Sequence, residues 1–107
     1  MAFEIEWLES AQADFDKEIG YVLEEFGFQV AKDTYYSIHN HVENIANSPR
    51  IGTQYEKLTY FGYEIRRFPT RQVTIFYSPQ PHKVTILAVW NNRRNPDRLY
   101  RHLLDAQ

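Results

Sequence analysis

The stretch VTILAVWNNRRNP, residues 84–96, decides how this chain is organised. Its first seven residues are apolar or β-branched, which predicts a central strand covered on both faces of its sheet. Two asparagines, two arginines, an asparagine and a proline follow at once. Because the end of a strand is a rigid place from which to aim side chains, we expect these polar residues to form a functional edge.

Side chains along a strand point alternately to the two faces of its sheet. For residues 84–90 this predicts two sets on opposite faces: Val84, Ile86, Ala88 and Trp90 on one, and Thr85, Leu87 and Val89 on the other. Downstream, Asn95 is placed to cap a short last helix, with Pro96 in its first turn.

The N-terminal half has the pattern of one strand and two helices. Apolar residues alternate with glutamates in residues 3–7, which predicts a short strand with one buried face. A helix is then expected from the capping residue Ser10 to Gly27, a residue suited to a left-handed helix end. Apolar residues at helical spacing predict a second helix, which Pro49 closes.

The segment between this helical hairpin and the central strand is predicted to contain a loop and two more strands. Residues 52–59 are expected to form the loop, and residues 63–68 and 73–77 the strands. The elements then run in the order β-α-α-β-β-β-α, which is an α+β arrangement. Residues 1–107 suit one domain of this kind.

The charges are divided unevenly along the chain. Residues 1–65 carry four Lys or Arg and twelve Asp or Glu, a net charge of −8. Residues 66–102 carry eight Lys or Arg and one Asp, a net charge of +7. An asymmetry of this kind favours an electrostatic face for an anionic partner, although the two signs can also interleave in the folded protein.

Several classes of protein are disfavoured by composition. The chain has no cysteine, so disulfides and thiolate zinc sites are excluded. Acidic residues stand near the N-terminus where a signal peptide would carry basic ones, and no stretch approaches roughly 18 consecutive apolar residues. We therefore expect a cytoplasmic protein that does not enter the membrane.

Metal and cofactor sites are not expected. His39 and His41 are two residues apart on a predicted helix and so point to different sides, which makes them a poor metal pair. The sequence has no glycine-rich phosphate loop.

The candidate functional residues are arginines and their polar neighbours near strand ends. If neighbouring strands pair antiparallel, Arg71 shares one rim with Arg93 or Arg94. Guanidinium groups clustered with amides and a tyrosine make a surface suited to phosphates or carboxylates. A solvated rim without a partner is the alternative. The candidates for binding are Arg67, Arg71, Asn91, Asn92, Arg93, Arg98, Arg101 and His102.

The order of several segments resembles the RelE/ParE superfamily of toxins from bacterial type II toxin–antitoxin systems. The segments are SAQADFDKEIGYVLEEFG, NSPRIG, YEIRRFP, VTIFY and VTILAVWNNRRNPDRLY, which cover nearly the whole chain. The resemblance implies a small antiparallel sheet that carries the helical hairpin on one side. It also implies neutralisation by a separately encoded antitoxin, which contacts DNA in place of the toxin and covers apolar and basic surface.

The superfamily contains two kinds of toxin. RelE-type members cut messenger RNA on the ribosome, whereas ParE-type members poison DNA gyrase without a reaction of their own. Arg66, Arg94 and Tyr100 fall on RelE-type functional positions and are catalytic candidates if this chain is RelE-like. Glu64 stands where that branch has a lysine, which works against binding a phosphate.

The resemblance therefore favours a ParE-like toxin that inhibits growth by binding DNA gyrase and is neutralised by its antitoxin. RRFP and NNRRNPDRLYRHL are the segments closer to the ParE branch. A ribosome-dependent endoribonuclease that acts on mRNA is the alternative. A family member that has lost its toxicity and only binds its antitoxin is a third hypothesis.

Overall fold

The computed structural model describes residues 2–107 and builds them around a five-stranded sheet. The elements are β1 (Glu4–Trp7), α1 (Glu9–Phe26), α2 (Phe28–Asn47), β2 (Thr53–Tyr60), β3 (Tyr63–Pro69), β4 (Val73–Pro79), β5 (Lys83–Asn91), a 3-10 turn (Pro96–Arg98) and α3 (Leu99–Asp105). Within this part of the chain, none of the helices is both long and apolar enough to cross a membrane.

The strands lie in the order β1-β5-β4-β3-β2. The hairpin of α1 and α2 covers one side of the sheet, and α3 packs on the other. The predicted α+β class and the helical hairpin are confirmed. The sheet is mixed where an antiparallel one was expected, because β1 runs parallel to β5 while the other neighbours pair antiparallel.

The prediction of a loop at residues 52–59 is wrong, because β2 occupies most of it. Its pairing with β3 jumps from Gln54↔Arg66 to Thr59↔Glu64, so four residues of β2 stand opposite one residue of β3. This irregularity removes the alternation by which a strand is recognised in a sequence. Tyr55 still packs against the core on the α3 side of the sheet, and so anchors the strand.

The central strand β5 contains a β-bulge at Leu87. Ile86 pairs with Tyr77 and Ala88 pairs with Phe76, so Leu87 is an extra residue on β5. Beyond the bulge, each side chain points to the face of the sheet opposite to the one that strict alternation predicts. Val89 joins Val84 and Ile86 in the core under the helical hairpin.

Ala88 and Trp90 instead join Leu87 in the second core, against Leu103 of α3. The predicted facing of residues 88–90 is therefore wrong. The prediction that both faces of this strand are covered is confirmed, since Val84–Trp90 are buried throughout.

The predicted helix ends are partly confirmed. α1 begins at Glu9 without a side-chain cap, so Ser10 lies inside the helix and the expected cap is wrong. Gly27 ends α1 as expected, with a φ of 89° that favours glycine, and its amide donates to the Leu23 carbonyl. Asn95 accepts a hydrogen bond from the Asp97 amide and starts the C-terminal helical segment as predicted.

Tyr77 joins the sheet to the segment that leaves the helical hairpin. It is fully buried, and its hydroxyl donates to the Pro49 carbonyl at 2.7 Å and accepts from the Gly52 amide at 2.9 Å. Burial raises the pKa of the Tyr77 phenol, so the hydroxyl keeps its proton at neutral pH. A Cβ at position 52 would lie 2.6 Å from the Arg67 carbonyl oxygen, which explains the glycine there.

Replacing Tyr77 with phenylalanine should destabilise the protein by about 1–3 kcal/mol, because the buried Gly52 amide loses its acceptor. Urea unfolding measures this change. Tyr63→Phe, at an exposed tyrosine of β3, should change the free energy of unfolding by no more than about 0.5 kcal/mol. Equal stabilities of the two variants would contradict the assigned role of Tyr77.

Candidate arginine-lined binding site

The polar residues after the central strand lie beside the turn between β3 and β4. Asn91 pairs with Val73, and the Asn92 amide donates to the Gln72 carbonyl at 3.0 Å. The antiparallel pairing of β4 and β5 thus brings Arg71 to the same end of the sheet as Arg93 and Arg94. We call Arg71, Asn91, Asn92, Arg93 and Arg94 the arginine rim.

Asn92 fastens the rim to the β3–β4 turn. Its side-chain oxygen accepts from the Thr74 hydroxyl at 2.7 Å, and its side-chain nitrogen donates to the Thr70 carbonyl at 3.0 Å. A side chain held by both its donor and its acceptor has little rotational freedom. Asn92 therefore helps to fix the positions of the adjacent rim residues Asn91 and Arg93.

Asn91 fastens the rim to α1. Its side-chain nitrogen donates to the Glu18 carboxylate at 2.8 Å, and its side-chain oxygen accepts from the Arg93 backbone amide at 2.8 Å. Glu18 is only 6% exposed, and a buried carboxylate requires a donor of this kind. This contact sets the distance between the helix and the end of β5.

The two adjacent arginines lie over different aromatic rings. The Arg93 guanidinium is 4.6 Å from the centre of the Tyr21 ring on α1. The Arg94 guanidinium is 4.0 Å from the centre of the Trp90 ring, on the α3 side of β5. Cation–π contacts of this kind are worth about 0.5–1 kcal/mol at exposed sites and restrict where each guanidinium points. Among the ion pairs within residues 2–107, none involves an arginine of the rim.

Two neighbouring pockets open between α1 and the rim. The Arg94 pocket, of about 240 Å³, is lined by Asp14, Lys17, Glu18, Tyr21, Val89, Asn91 and Arg94. The Arg71–Arg93 pocket, of about 220 Å³, is lined by Glu18, Tyr21, Val22, Phe26, Arg71, Gln72, Asn92 and Arg93. Glu18 and Tyr21 belong to both pockets and form the wall between them.

The family described as "ParE toxin of type II toxin-antitoxin system, parDE" matches this chain over residues 5–96. The chain belongs to the ParE toxin family.

A solved structure titled "Chromosomal ParDE TA system from P. aeruginosa" is similar to this toxin, with a TM-score of 0.69 and 14% sequence identity. The match covers 84% of this chain and 96% of the other, and at this identity it shows a shared fold. No curated protein matches the sequence significantly.

His102 of the toxin points inward. Its Nε2 lies 2.9 Å from a carboxylate oxygen of Asp14, which also accepts from the Val89 backbone amide at 3.1 Å. Its ring lies 5.4 Å from the Trp90 ring. His102 thus ties α3 to α1 and to the end of β5.

The remaining binding candidates lie on the α3 side of the sheet. Arg98 and Arg101 are exposed on the C-terminal helical segment, and Arg67 is exposed on β3. Burial and the neighbouring Tyr100 raise the pKa of the Tyr55 phenol, while Arg67 lowers it. Tyr55, Tyr100 and Arg67 therefore lie close together, on the side of the sheet away from the helical hairpin.

The structure does not gather Arg66, Arg94 and Tyr100 into one pocket. The Arg66 side chain is 15% exposed, pairs with Glu64 at 3.2 Å and donates to the Gly52 and Arg50 carbonyls. In the sheet Arg66 pairs with Tyr77, which lies four residues along β4 from Val73, the partner of the rim residue Asn91. This separation is about 13 Å at 3.3 Å per residue. Tyr100 lies on α3.

The helical wall of the site was not predicted from the sequence. Asp14, Glu18 and Tyr21 are spaced i, i+4, i+7 and therefore share one face of α1. Two carboxylates beside the apolar positions Phe15 and Val22 were the available signal, because acids at the border of a buried face need a partner.

Replacing Asp14 with alanine should loosen α3, because His102 loses its partner and the Val89 amide loses its acceptor. We expect a loss of about 1–3 kcal/mol and faster hydrogen exchange in residues 99–105. Asp16→Ala, at an exposed acid of the same helix, is the matched control and should leave that exchange unchanged. Unaltered protection of α3 in the Asp14 variant would show that this contact does not hold the helix.

Proposed function

We propose that this toxin stops growth by binding and poisoning DNA gyrase, and that a cognate antitoxin neutralises it. The observation that carries the proposal is the arginine rim, together with the membership of the ParE family. Three arginines that form no ion pair with the described residues 2–107 lie at one end of the sheet, which suits a surface that binds a macromolecule. Gyrase is cytoplasmic, and the toxin acts there.

The dispersal of the catalytic candidates supports binding over RNA cleavage. Cleavage of RNA requires cations and proton-transfer groups that converge on one phosphate. Arg66 is instead engaged by Glu64 and by backbone carbonyls, about 13 Å along the sheet from the rim. The toxin therefore acts as a protein ligand of its target and catalyses no reaction.

Purified toxin should inhibit supercoiling of relaxed plasmid by gyrase in a mixture without ribosomes. Arg94→Ala should raise the concentration needed for half-inhibition about tenfold or more, because arginine is enriched among the interface residues whose truncation costs about 2 kcal/mol or more. Its free energy of unfolding should fall by no more than about 1 kcal/mol, the size of an exposed cation–π contact.

Lys57→Ala, which removes an exposed positive charge from β2, is the matched control and should inhibit like the unmodified toxin. Normal supercoiling combined with messenger RNA cleavage only in the presence of ribosomes would overturn the proposal. Arg66, Arg94 and Tyr100 would then be the first catalytic candidates.

A further inference from the structure

A second set of arginines lies on the side of the sheet away from the helical hairpin. Arg98 and Arg101 are exposed on the C-terminal helical segment, and Arg67 is exposed on β3. Ile65, two residues before Arg67 on the strand, packs in the core with Leu103 of α3, so the Arg67 side chain points to the same side. We call Arg67, Arg98, Tyr100 and Arg101 the α3 surface.

The C-terminal part of this surface carries mostly positive charge. Residues 93–101 contain four arginines and one acid, Asp97, which gives a net charge of +3. In the part of the chain that the structure describes, residues 2–107, no ion pair involves Arg67, Arg98 or Arg101. Their guanidinium groups are therefore available to an external anion.

Two tyrosines add ring surface and hydrogen-bond donors beside these arginines. Tyr100 is 47% exposed and lies close to Arg67 and Tyr55. Because burial above all raises the pKa of the Tyr55 phenol, its hydroxyl keeps its proton at neutral pH and is a donor. Tyrosine hydroxyls and guanidinium groups are among the donors that bind the phosphate and sugar oxygens of nucleic acids.

The α3 surface and the pockets of the arginine rim lie on opposite sides of the sheet. The two pockets open between α1 and the end of β5, whereas α3 packs on the other side. Arg94 connects the two regions, because its guanidinium lies over the Trp90 ring on the α3 side and it also lines one pocket. The toxin therefore has room for a protein at the rim and a second ligand at the α3 surface.

We propose that the α3 surface binds the phosphate backbone of duplex DNA held by gyrase, while the rim contacts gyrase itself. The proposal rests on the proposed function, because gyrase acts on DNA and so presents a duplex beside the bound toxin. Charge complementarity selects a phosphate backbone as the ligand of this surface. The contact is additional to the DNA contact expected through the antitoxin, since it forms in the complex with the target.

Binding of a short labelled DNA duplex to the purified toxin over a series of salt concentrations tests the proposal. The unmodified toxin should bind with a dissociation constant of about 10⁻⁴–10⁻⁶ M at physiological salt, as for non-specific contact. Arg67→Gln and Arg101→Gln should each raise that constant about fivefold and reduce the slope of log K against log salt by about one, since each removes one phosphate contact.

Arg50→Gln is the matched control and should bind the duplex like the unmodified toxin. It removes an exposed positive charge beside Glu64, which lies next to Ser78 at the end of β4 away from the rim. Melting curves verify that each variant is folded. Failure of the unmodified toxin to bind the duplex, or equal weakening by Arg50→Gln and the two surface variants, would overturn the proposal. So would tighter binding of single-stranded RNA than of the duplex.

A gyrase assay separates this proposal from the proposed function. Arg67→Gln and Arg101→Gln should require about fivefold more toxin for half-inhibition of supercoiling, but should bind gyrase without DNA like the unmodified toxin. Normal inhibition by both variants would overturn the DNA contact and leave gyrase as the target. Duplex binding that depends on Arg67 and Arg101, with gyrase untouched by the unmodified toxin, would support the α3 surface as a DNA site and overturn gyrase as the protein that presents the DNA.

Discussion

Leu87 is an extra residue in the middle strand of the sheet, and the placement of every side chain at the end of that strand depends on it. Without the bulge, Trp90 would face the helical hairpin and Asn91 would face α3, since side chains alternate along a strand. With it, Trp90 faces the α3 side and lies against Arg94 and His102, and Asn91 reaches Glu18 on α1. A single inserted residue therefore decides which helix each polar group meets.

The electrostatics of the site follow from this arrangement. Asn91 donates to the buried Glu18 carboxylate, which forms no ion pair with the arginines beside it among residues 2–107. The rings of Tyr21 and Trp90 hold Arg93 and Arg94 in two separate pockets that share one wall. The toxin thus presents positive charge from a rigid framework and needs little reordering when a partner binds, which favours affinity.

The sequence was sufficient to predict the helical hairpin, the buried central strand and the shared rim of Arg71 and Arg93, because each depends on local periodicity and antiparallel pairing. It was insufficient at the two irregularities of the sheet. Because four residues of β2 stand opposite one residue of β3, the sequence of β2 lacks the alternation of a strand and was predicted as a loop. The extra residue Leu87 places residues 88–90 on the faces opposite to those predicted. His102 was predicted only as a binding candidate, because its contact with Asp14 depends on how α3 folds back over the sheet, which no local pattern encodes.

A double-mutant cycle on Glu18 and Asn91 tests most directly whether the bulge sets the geometry of the rim. Urea unfolding of Glu18→Ala, Asn91→Ala and the double variant measures the coupling, with Glu24→Ala, at an exposed acid of α1, as the control partner. The two changes should be non-additive by about 0.5 kcal/mol or more, as for residues in contact, while the control pair should be additive. Additivity of Glu18 and Asn91 within about 0.3 kcal/mol would show that Asn91 does not face α1 and would contradict the account.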